Sequence, residues 1–403
     1  MAIRLIDNEH RARIKVVGVG GSGGNAINRM IESGMHGVEF VAVNTDAQAL
    51  EASRADFPIC IGSSVTRGLG AGADPEVGRQ AIEEDRDRLS KQLQDSDLIF
   101  ITAGMGGGTG TGAAPTVAEI ARDQAALTVG IVTEPFLMEG SPRMKNAKSG
   151  IAELKDQVDT LITIKNQRLL TVCGRDTRLE DAFLKADEVL MQATRGISDL
   201  ITIPGMVNLD FNDVRTVISM GGDAIMGLGE HSGEERAVEA ARKAINSPLL
   251  EDVSIAGAKG VLINIAADSN LTLYEVNEVM SLINEEAGSD AEIIFGTVID
   301  DSLTEHIRVT VIATGFSLNK GSDSEAEPAA RAQEEEEPAQ DVDADPLTSG
   351  SPVIVGNGGT SLDVPTYLRN GNSTPQELPE EPARPAVGDL DIPTFLRRKM
   401  NAS

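Results

Sequence analysis

From Ile14 to about Lys165 the chain alternates short apolar runs with amphipathic stretches. The runs Ile14 to Val19, Val38 to Val43, Phe57 to Ile61, Leu98 to Ala103, Leu127 to Val132 and Thr160 to Ile164 are five or six residues long and rich in Val and Ile, the pattern of strands buried on both faces. Between them, three-and-four spacing of apolar positions predicts helices at Gly24 to Glu32, Pro75 to Leu93 and Arg143 to Val158. Asp74 ahead of Pro75 is a capping residue followed by a proline where the helix has no N–H to lose. Strand-helix alternation of this kind predicts a doubly wound parallel sheet covered by helices on both sides.

A longer helix is predicted next. Leu179, Ala182, Phe183, Ala186, Val189, Leu190, Ala193, Ile197, Leu200 and Ile201 form one stripe, ended by Pro204-Gly205, and the stripe is wide enough to be packed from two sides. Beyond it, strands are predicted at Gly221 to Gly229, Gly260 to Ala267, Ala291 to Asp300 and His306 to Gly315, with helices at Glu234 to Asn246 and Leu273 to Ala287, making a second, smaller α/β domain. The pattern then stops. Ten of the 17 prolines fall after Phe316, together with the acidic block Glu334 to Glu337, so this stretch lacks the apolar surface needed to offset its ordering entropy. The predicted organisation is an N-terminal extension (1–13), a nucleotide-binding domain (14–178), a central helix (179–203), a C-terminal α/β domain (204–316), a disordered acidic linker (317–390) and a short docking tail (391–403). The tail, DIPTFLRRKMNAS, has an echo in DVPTYLR at Asp363 to Arg369, which reads equally well as a second copy or as chance.

Composition narrows the chemistry. The formal charge of -28 argues against a nucleic-acid partner, which requires clustered Lys and Arg. Cys60 and Cys173 are distant in sequence, and His10, His36, His231 and His306 share no ligand spacing, so neither a disulfide framework nor a zinc site is indicated. The first fifteen residues carry no apolar signal core, and no segment has the roughly 18 apolar residues of a membrane span. A soluble, cytoplasmic protein without transmembrane insertion is the expectation.

Two glycine-rich loops carry the candidate chemistry. Gly104 to Gly112, GMGGGTGTG, follows a buried strand and precedes an alanine-rich helix predicted near Ala113. Glycines at such a position let backbone N–H groups face an anion, and Thr109 and Thr111 add hydroxyls. No lysine follows, so this is not the P-loop pattern. After the first strand, Gly18-Val19-Gly20-Gly21-Ser22-Gly23 satisfies G-x-G-x-x-G, a weak signal alone that suits NAD as well as a mononucleotide, with Asp46 as a possible ribose acid. The second cradle favours a chain of phosphates gripped from two sides. Exposed helix acids such as Glu119 are read as solvated faces. In Asn208 to Asp213, NLDFND, spacing alone allows Asp213 as a helix cap and Asp210 as a turn former.

Taken together, GVGGSGGNA (Gly18 to Ala26), VNTDAQAL (Val43 to Leu50), GLGAGADPEVG (Gly68 to Gly78), GGGTGTG (Gly106 to Gly112) and NLDFNDVRT (Asn208 to Thr216) closely resemble the FtsZ family, the bacterial tubulin-like cell-division GTPases. The likeness runs from Ile14 to Gly315 without evident gaps, and DIPTFLRR is similar to the family's tail, which binds membrane-anchoring partners. The resemblance implies a tubulin-like fold and a filament-forming GTPase that builds the division ring at mid-cell. It places Gly21, Ser22, Gly23, Gly24 and Asn25, with Gly108, Thr109 and Gly110, on the phosphates, Glu139 and Arg143 on the ribose side, and Asn166 with Asp187 on guanine. Ser22 departs from the commoner GGGGGN form, a small change. Asn208, Asp210 and Asp213 fall on the family's catalytic loop.

One consequence is physical. About 24 Å of helix separates Asp187 from Ile203 at ~1.5 Å per residue, so an acidic loop past the helix end is too far from a nucleotide held by Asp187 in the same subunit. It must serve a neighbour's, which implies a head-to-tail homopolymer. The two aspartates would orient a water for in-line attack on the γ-phosphoryl, positioning mattering more than proton abstraction by so weak a base. Carboxylates facing a triphosphate repel it, so a bound Mg²⁺ is expected between them, with a monovalent cation as a further candidate. Regulatory division proteins at Asp391 to Ser403 complete the expected partners. Three other readings compete: an NAD-dependent oxidoreductase, a scaffold that binds GTP without turnover, and a tubulin-like filament of plasmid segregation.

Overall fold

The computed structural model describes residues 12–174, 176–203, 205–207, 209–250 and 254–316, and these lie in one compact unit. The linker and tail readings (317–390 and 391–403) fall outside the described residues, as does most of the N-terminal extension. Among the described residues ten strands form one sheet: β1 (Ile14–Val19), β2 (Val38–Asn44), β3 (Phe57–Cys60), β4 (Leu98–Gly104), β5 (Leu127–Glu134), β6 (Thr160–Lys165), β7 (Gly222–Ser232), β8 (Gly260–Ala267), β9 (Glu292–Ile299) and β10 (His306–Thr314). Their order is β3-β2-β1-β4-β5-β6-β7-β10-β8-β9. The first six strands are parallel, and the order reverses direction between β1 and β4, where a doubly wound sheet opens a crevice at its carboxyl ends.

The sheet does not stop at β6. Thr160 to Ile162 pair in parallel with Gly222 to Ala224, so β7 carries the hydrogen-bonded ladder into the C-terminal region. There β10 runs antiparallel to both β7 and β8, and β8 pairs in parallel with β9.

Alternation along the strands separates the cores. In β4, Leu98 and Phe100 point into one cluster with Leu190, Ala193 and Ile197 of the central helix, while Ile99 and Ile101 point into another with Ala113, Val117 and Leu89. The central helix runs unbroken from Leu179 to Thr202. Its stripe packs on two sides, against β5 and the helix Gly20–Glu32 of the first region and against β8 and β9 of the second. A third cluster fills the opposite face of the second region, where Val261, Ile263, Val309 and Val311 meet Ala237, Ala240 and Ala244 of the helix Arg236–Ile245. Fully buried Leu190 at the centre of this arrangement makes Leu190→Ala worth about 2–5 kcal/mol.

Several local expectations need correction. The helix expected over Pro75 to Leu93 is two, Pro75–Glu84 and Arg86–Leu93, because Asp85 leaves helical geometry while its carboxylate accepts the Gly62 N–H at 2.8 Å. Glu119 is not a bare solvated acid: Arg86 donates to it at 2.9 Å and that hydrogen bond holds its carboxyl below the usual range. Leu179 and Phe183 lie on the apolar stripe yet remain exposed, while Ala182 and Ala186 on the same turns are buried.

Candidate functional site

The crevice at the β1/β4 reversal is a cavity of about 280 Å³. Val19, Gly104 and Thr133, at the carboxyl ends of β1, β4 and β5, form its floor, and the two glycine loops form one wall. Both helices that follow these loops begin earlier than their apolar periodicity predicts. The first spans Gly20–Glu32, not Gly24 onward, and the second Thr109–Asp123, not Ala113 onward. The glycines are therefore themselves the first helical turns. Neither start has a side-chain cap, so its leading N–H groups keep their donor capacity and the positive ends of two helix dipoles converge on the cavity.

Close packing requires the glycines. Gly20 has φ +74°, and a Cβ there would lie 2.9 Å from the Gly110 nitrogen; one on Gly110 would lie 2.7 Å from the Gly104 carbonyl. The two loops thus lean on each other through bare backbone. Gly21 and Gly107, by contrast, have open space where a side chain would start, on the wall a ligand would approach. Thr109 shares a 2.6 Å hydrogen bond with the buried hydroxyl of Thr45. Thr111, read from sequence as a phosphate donor, does not line the cavity; its hydroxyl oxygen accepts the Gly106 N–H at 2.8 Å and braces the loop from inside.

Facing the glycines is a different chemistry. Glu139 accepts from Arg143 at 2.6 Å and from the Phe136 N–H at 2.8 Å, which fixes it in place. Phe183 lines the cavity and meets Phe136 edge-on, ring centroids 5.4 Å apart, leaving a half-exposed apolar ring at the mouth. Asn166 opens the helix Asn166–Val172 and is buried, with its Oδ1 lacking a protein partner. That orphaned acceptor invites a donor from a ligand. Burial pushes the Asp187 carboxyl up to about 6, opposed by Arg29, whose Nε is 3.8 Å away.

Of the residues selected from sequence, Gly21, Ser22, Gly108, Thr109, Gly110, Glu139, Arg143, Asn166 and Asp187 all line this one cavity. Gly23, Gly24 and Asn25 do not. Gly23 is packed against the β4 backbone, where a Cβ would sit 2.5 Å from the Thr102 carbonyl, and Asn25 is exposed farther along the first helix. Asp46 also stands apart, capping the helix Ala47–Glu51 by accepting from Gln48 and Ala49. Sequence reading missed Thr133, Pro135, Phe183 and Ala186. Phe183 was within reach, because it precedes Asp187 by four positions and residues i and i+4 share a helix face.

The acidic loop lies elsewhere. Asn208 falls outside the described residues. Asp210, not Asp213, is the cap of the helix Phe211–Ser219, accepting the Asp213 N–H at 2.9 Å. Asp210 is exposed and Asp213 half-buried, and neither lines the cavity. The loop is anchored to the C-terminal region, where Val207 donates to the Thr297 hydroxyl at 3.0 Å near the end of β9. Among the described residues no group of three or more His, Cys, Asp or Glu side chains could hold a metal, and no helix is long and apolar enough to cross a membrane.

Comparison with known proteins bears on this geometry. The profile of the Tubulin/FtsZ family, GTPase domain, matches residues 13–174, and that of the FtsZ family, C-terminal domain, matches residues 222–317. Among solved structures, an empty FtsZ dimer from M. jannaschii is 47% identical over 76% of this chain and 89% of its own, with a TM-score of 0.74. CetZ1 of Haloferax volcanii, a GDP-bound monomer, is 22% identical over 76% of this chain and 95% of its own, with a TM-score of 0.66. CetZ2 of the same organism, a GTPγS-bound protofilament, is 22% identical over 75% and 93%, with a TM-score of 0.63; these two share the fold.

Proposed function

This chain belongs to the FtsZ family, and from that premise we propose that it binds GTP in the β1/β4 cavity, polymerises head-to-tail, and hydrolyses GTP at the contact between subunits. The division ring at the mid-cell septum is the proposed cellular form, with membrane-anchoring and regulatory division proteins as partners of Asp391 to Ser403.

Each part of the cavity suits one part of the nucleotide. The uncapped N–H groups at the two glycine turns take the phosphates, and the Glu139-Arg143 pair borders the ribose. The purine stacks on Phe183, and its edge is read by Asn166 and Asp187, an ionised carboxylate there accepting the N1–H and N2–H of guanine. Adenine, with an acceptor at N1 and an amino donor beside it, mismatches that pattern. The NAD alternative loses its ribose acid, because Asp46 is committed to a helix cap.

One observation carries the polymer reading. Asp187 lines the cavity, and an unbroken helix rises roughly 22 Å from it to Thr202 before the loop of Asp210 and Asp213 begins. The aspartates are out of reach of their own nucleotide and presentable to another. Exposed apolar side chains support such a contact from both ends. Leu137 and Met138 immediately precede Glu139, which lines the cavity. Met206 adjoins the acidic loop, and Leu273 and Tyr274 open the helix that follows β8, whose end pairs with that of β9 beside Val207. Unlike ends that fit together propagate into open filaments.

At the contact, Asp210 and Asp213 of one subunit would orient a water for in-line attack on the γ-phosphoryl of the next, while the glycine N–H groups stabilise the charge that develops on its oxygens. Mg²⁺ bound with the nucleotide would neutralise phosphate charge. Light scattering after addition of GTP, GDP, ATP or NAD with Mg²⁺, with phosphate release followed in parallel, tests the proposal. Scattering specific to GTP that decays as phosphate accumulates supports it; turnover per molecule that stays constant on dilution below the assembly threshold refutes it.

A further inference from the structure

Arg29 belongs to the helix Gly20–Glu32, whose first turn supplies the phosphate wall, and it reaches across to the central helix at Asp187. The Asp187 side chain is largely screened from water, 11% exposed, and that of Arg29 is partly so, at 35%. Other charged groups around this carboxylate are committed elsewhere or set to one side. Lys185 and Glu188, on the same helix, pair with each other at 2.7 Å, and on the facing wall Arg143 is held by Glu139. Lys165 and Arg168 flank the neutral Asn166 and have interactions of their own. Of these charges, Arg29 is the one that opposes the effect of burial on Asp187.

We propose that Arg29 is a positioning residue for base selection: it keeps the Asp187 carboxylate ionised, so that the cavity takes guanine and rejects adenine. The inference rests on the reading of Asp187 as the guanine contact. An ionised carboxylate offers acceptors only, which match the N1–H and N2–H of guanine. A neutral carboxyl offers one donor and one acceptor, so it loses one of the two guanine contacts and gains a donor that the N1 acceptor of adenine can take. Protonation of this single buried group therefore weakens the hold on guanine and removes the ground for rejecting adenine. Burial drives it toward the neutral form, and a cation 3.8 Å away drives it back.

The test is equilibrium titration of the full chain with GTP and ATP, in the presence of Mg²⁺, from about pH 5 to pH 8. With Asp187 titrating near 6, the unaltered protein should lose about tenfold in GTP affinity between neutral pH and pH 5. Arg29→Met keeps the apolar stem and removes the charge. It should move the midpoint of that loss upward and lower the GTP-to-ATP preference at pH 7 by about threefold or more, with Arg29→Lys restoring both. An unchanged midpoint and unchanged base preference in Arg29→Met overturn the proposal, even if both affinities fall together, since that is what a purely structural role would do. Asp187→Ala separates the two layers. If it leaves the preference for GTP intact, the guanine contact itself is misassigned; if it abolishes the preference while Arg29→Met does not, only the role of Arg29 fails.

Discussion

Shared catalysis can be tested by mixing two inactive proteins. Asp187→Ala removes the proposed guanine contact and leaves the acidic loop intact, while Asp213→Ala removes a loop carboxylate and leaves the cavity intact. The two sites are separated by roughly 22 Å of continuous helix in each subunit, so neither substitution disturbs the other site directly. If a nucleotide is hydrolysed only where a sound cavity meets a sound loop, each variant alone is inactive. In a randomly mixed equimolar filament, roughly one contact in four joins the cavity of an Asp213→Ala subunit to the loop of an Asp187→Ala subunit. Phosphate release should then recover to about a quarter of the unaltered rate, rising and falling as the product of the two mole fractions. The assay is phosphate release across a mixing series, with one variant fluorescently labelled and its incorporation measured by sedimentation. Labelled Asp187→Ala protein that pellets with its partner while turnover stays at zero would refute the argument, because a cavity completed within its own subunit gains nothing from a neighbour.

Three further outcomes are expected. Gly20→Ala combines left-handed strain of about 1–2 kcal/mol with a Cβ 2.9 Å from the Gly110 nitrogen, so GTP affinity and urea stability should fall together, whereas Gly24→Ala, off the cavity wall and unobstructed, should leave nucleotide affinity unchanged. Asp210→Ala should lose both hydrolysis and about 1 kcal/mol of stability, while Asp210→Ser, which still accepts the Asp213 N–H, should lose hydrolysis alone; phosphate release and thermal melting separate the two effects. Burial raises the Asp199 carboxyl from 3.8 to about 6, against the pull of Arg195, so the native state retains a proton that the unfolded chain has released. Its contribution to stability is full below about pH 4 and is lost as pH rises through about 6, a change of about 3 kcal/mol that urea titrations should find in the unaltered protein and not in Asp199→Asn.

Legibility of the site followed the kind of signal each residue gives. The glycine loops were readable because so dense a run of small residues after a buried strand has few structural uses, and Asn166 and Asp187 came only through family resemblance. Gly23 and Gly24, which the family resemblance assigns to the phosphates, do not line the cavity, and a glycine needed for packing or helix entry looks the same in sequence as one needed for a ligand. Phe183 was taken for core because an aromatic on an apolar stripe does not announce that it borders a cavity.

What the chain determined by itself was local and periodic: strands two-sidedly apolar, a long helix with a broad stripe, two phosphate-type loops and an acidic segment after the helix. Periodicity encodes which face of an element is buried, and that is set by neighbouring residues. Tertiary structure decided what depends on distant residues meeting. It joined the two regions into a single sheet through β6 and β7, leaned Gly20 on Gly110, set Arg29 beside Asp187, and placed a rigid helix between the cavity and the two aspartates. None of these contacts leaves a repeating trace in the sequence, because each is a single meeting of residues far apart along the chain.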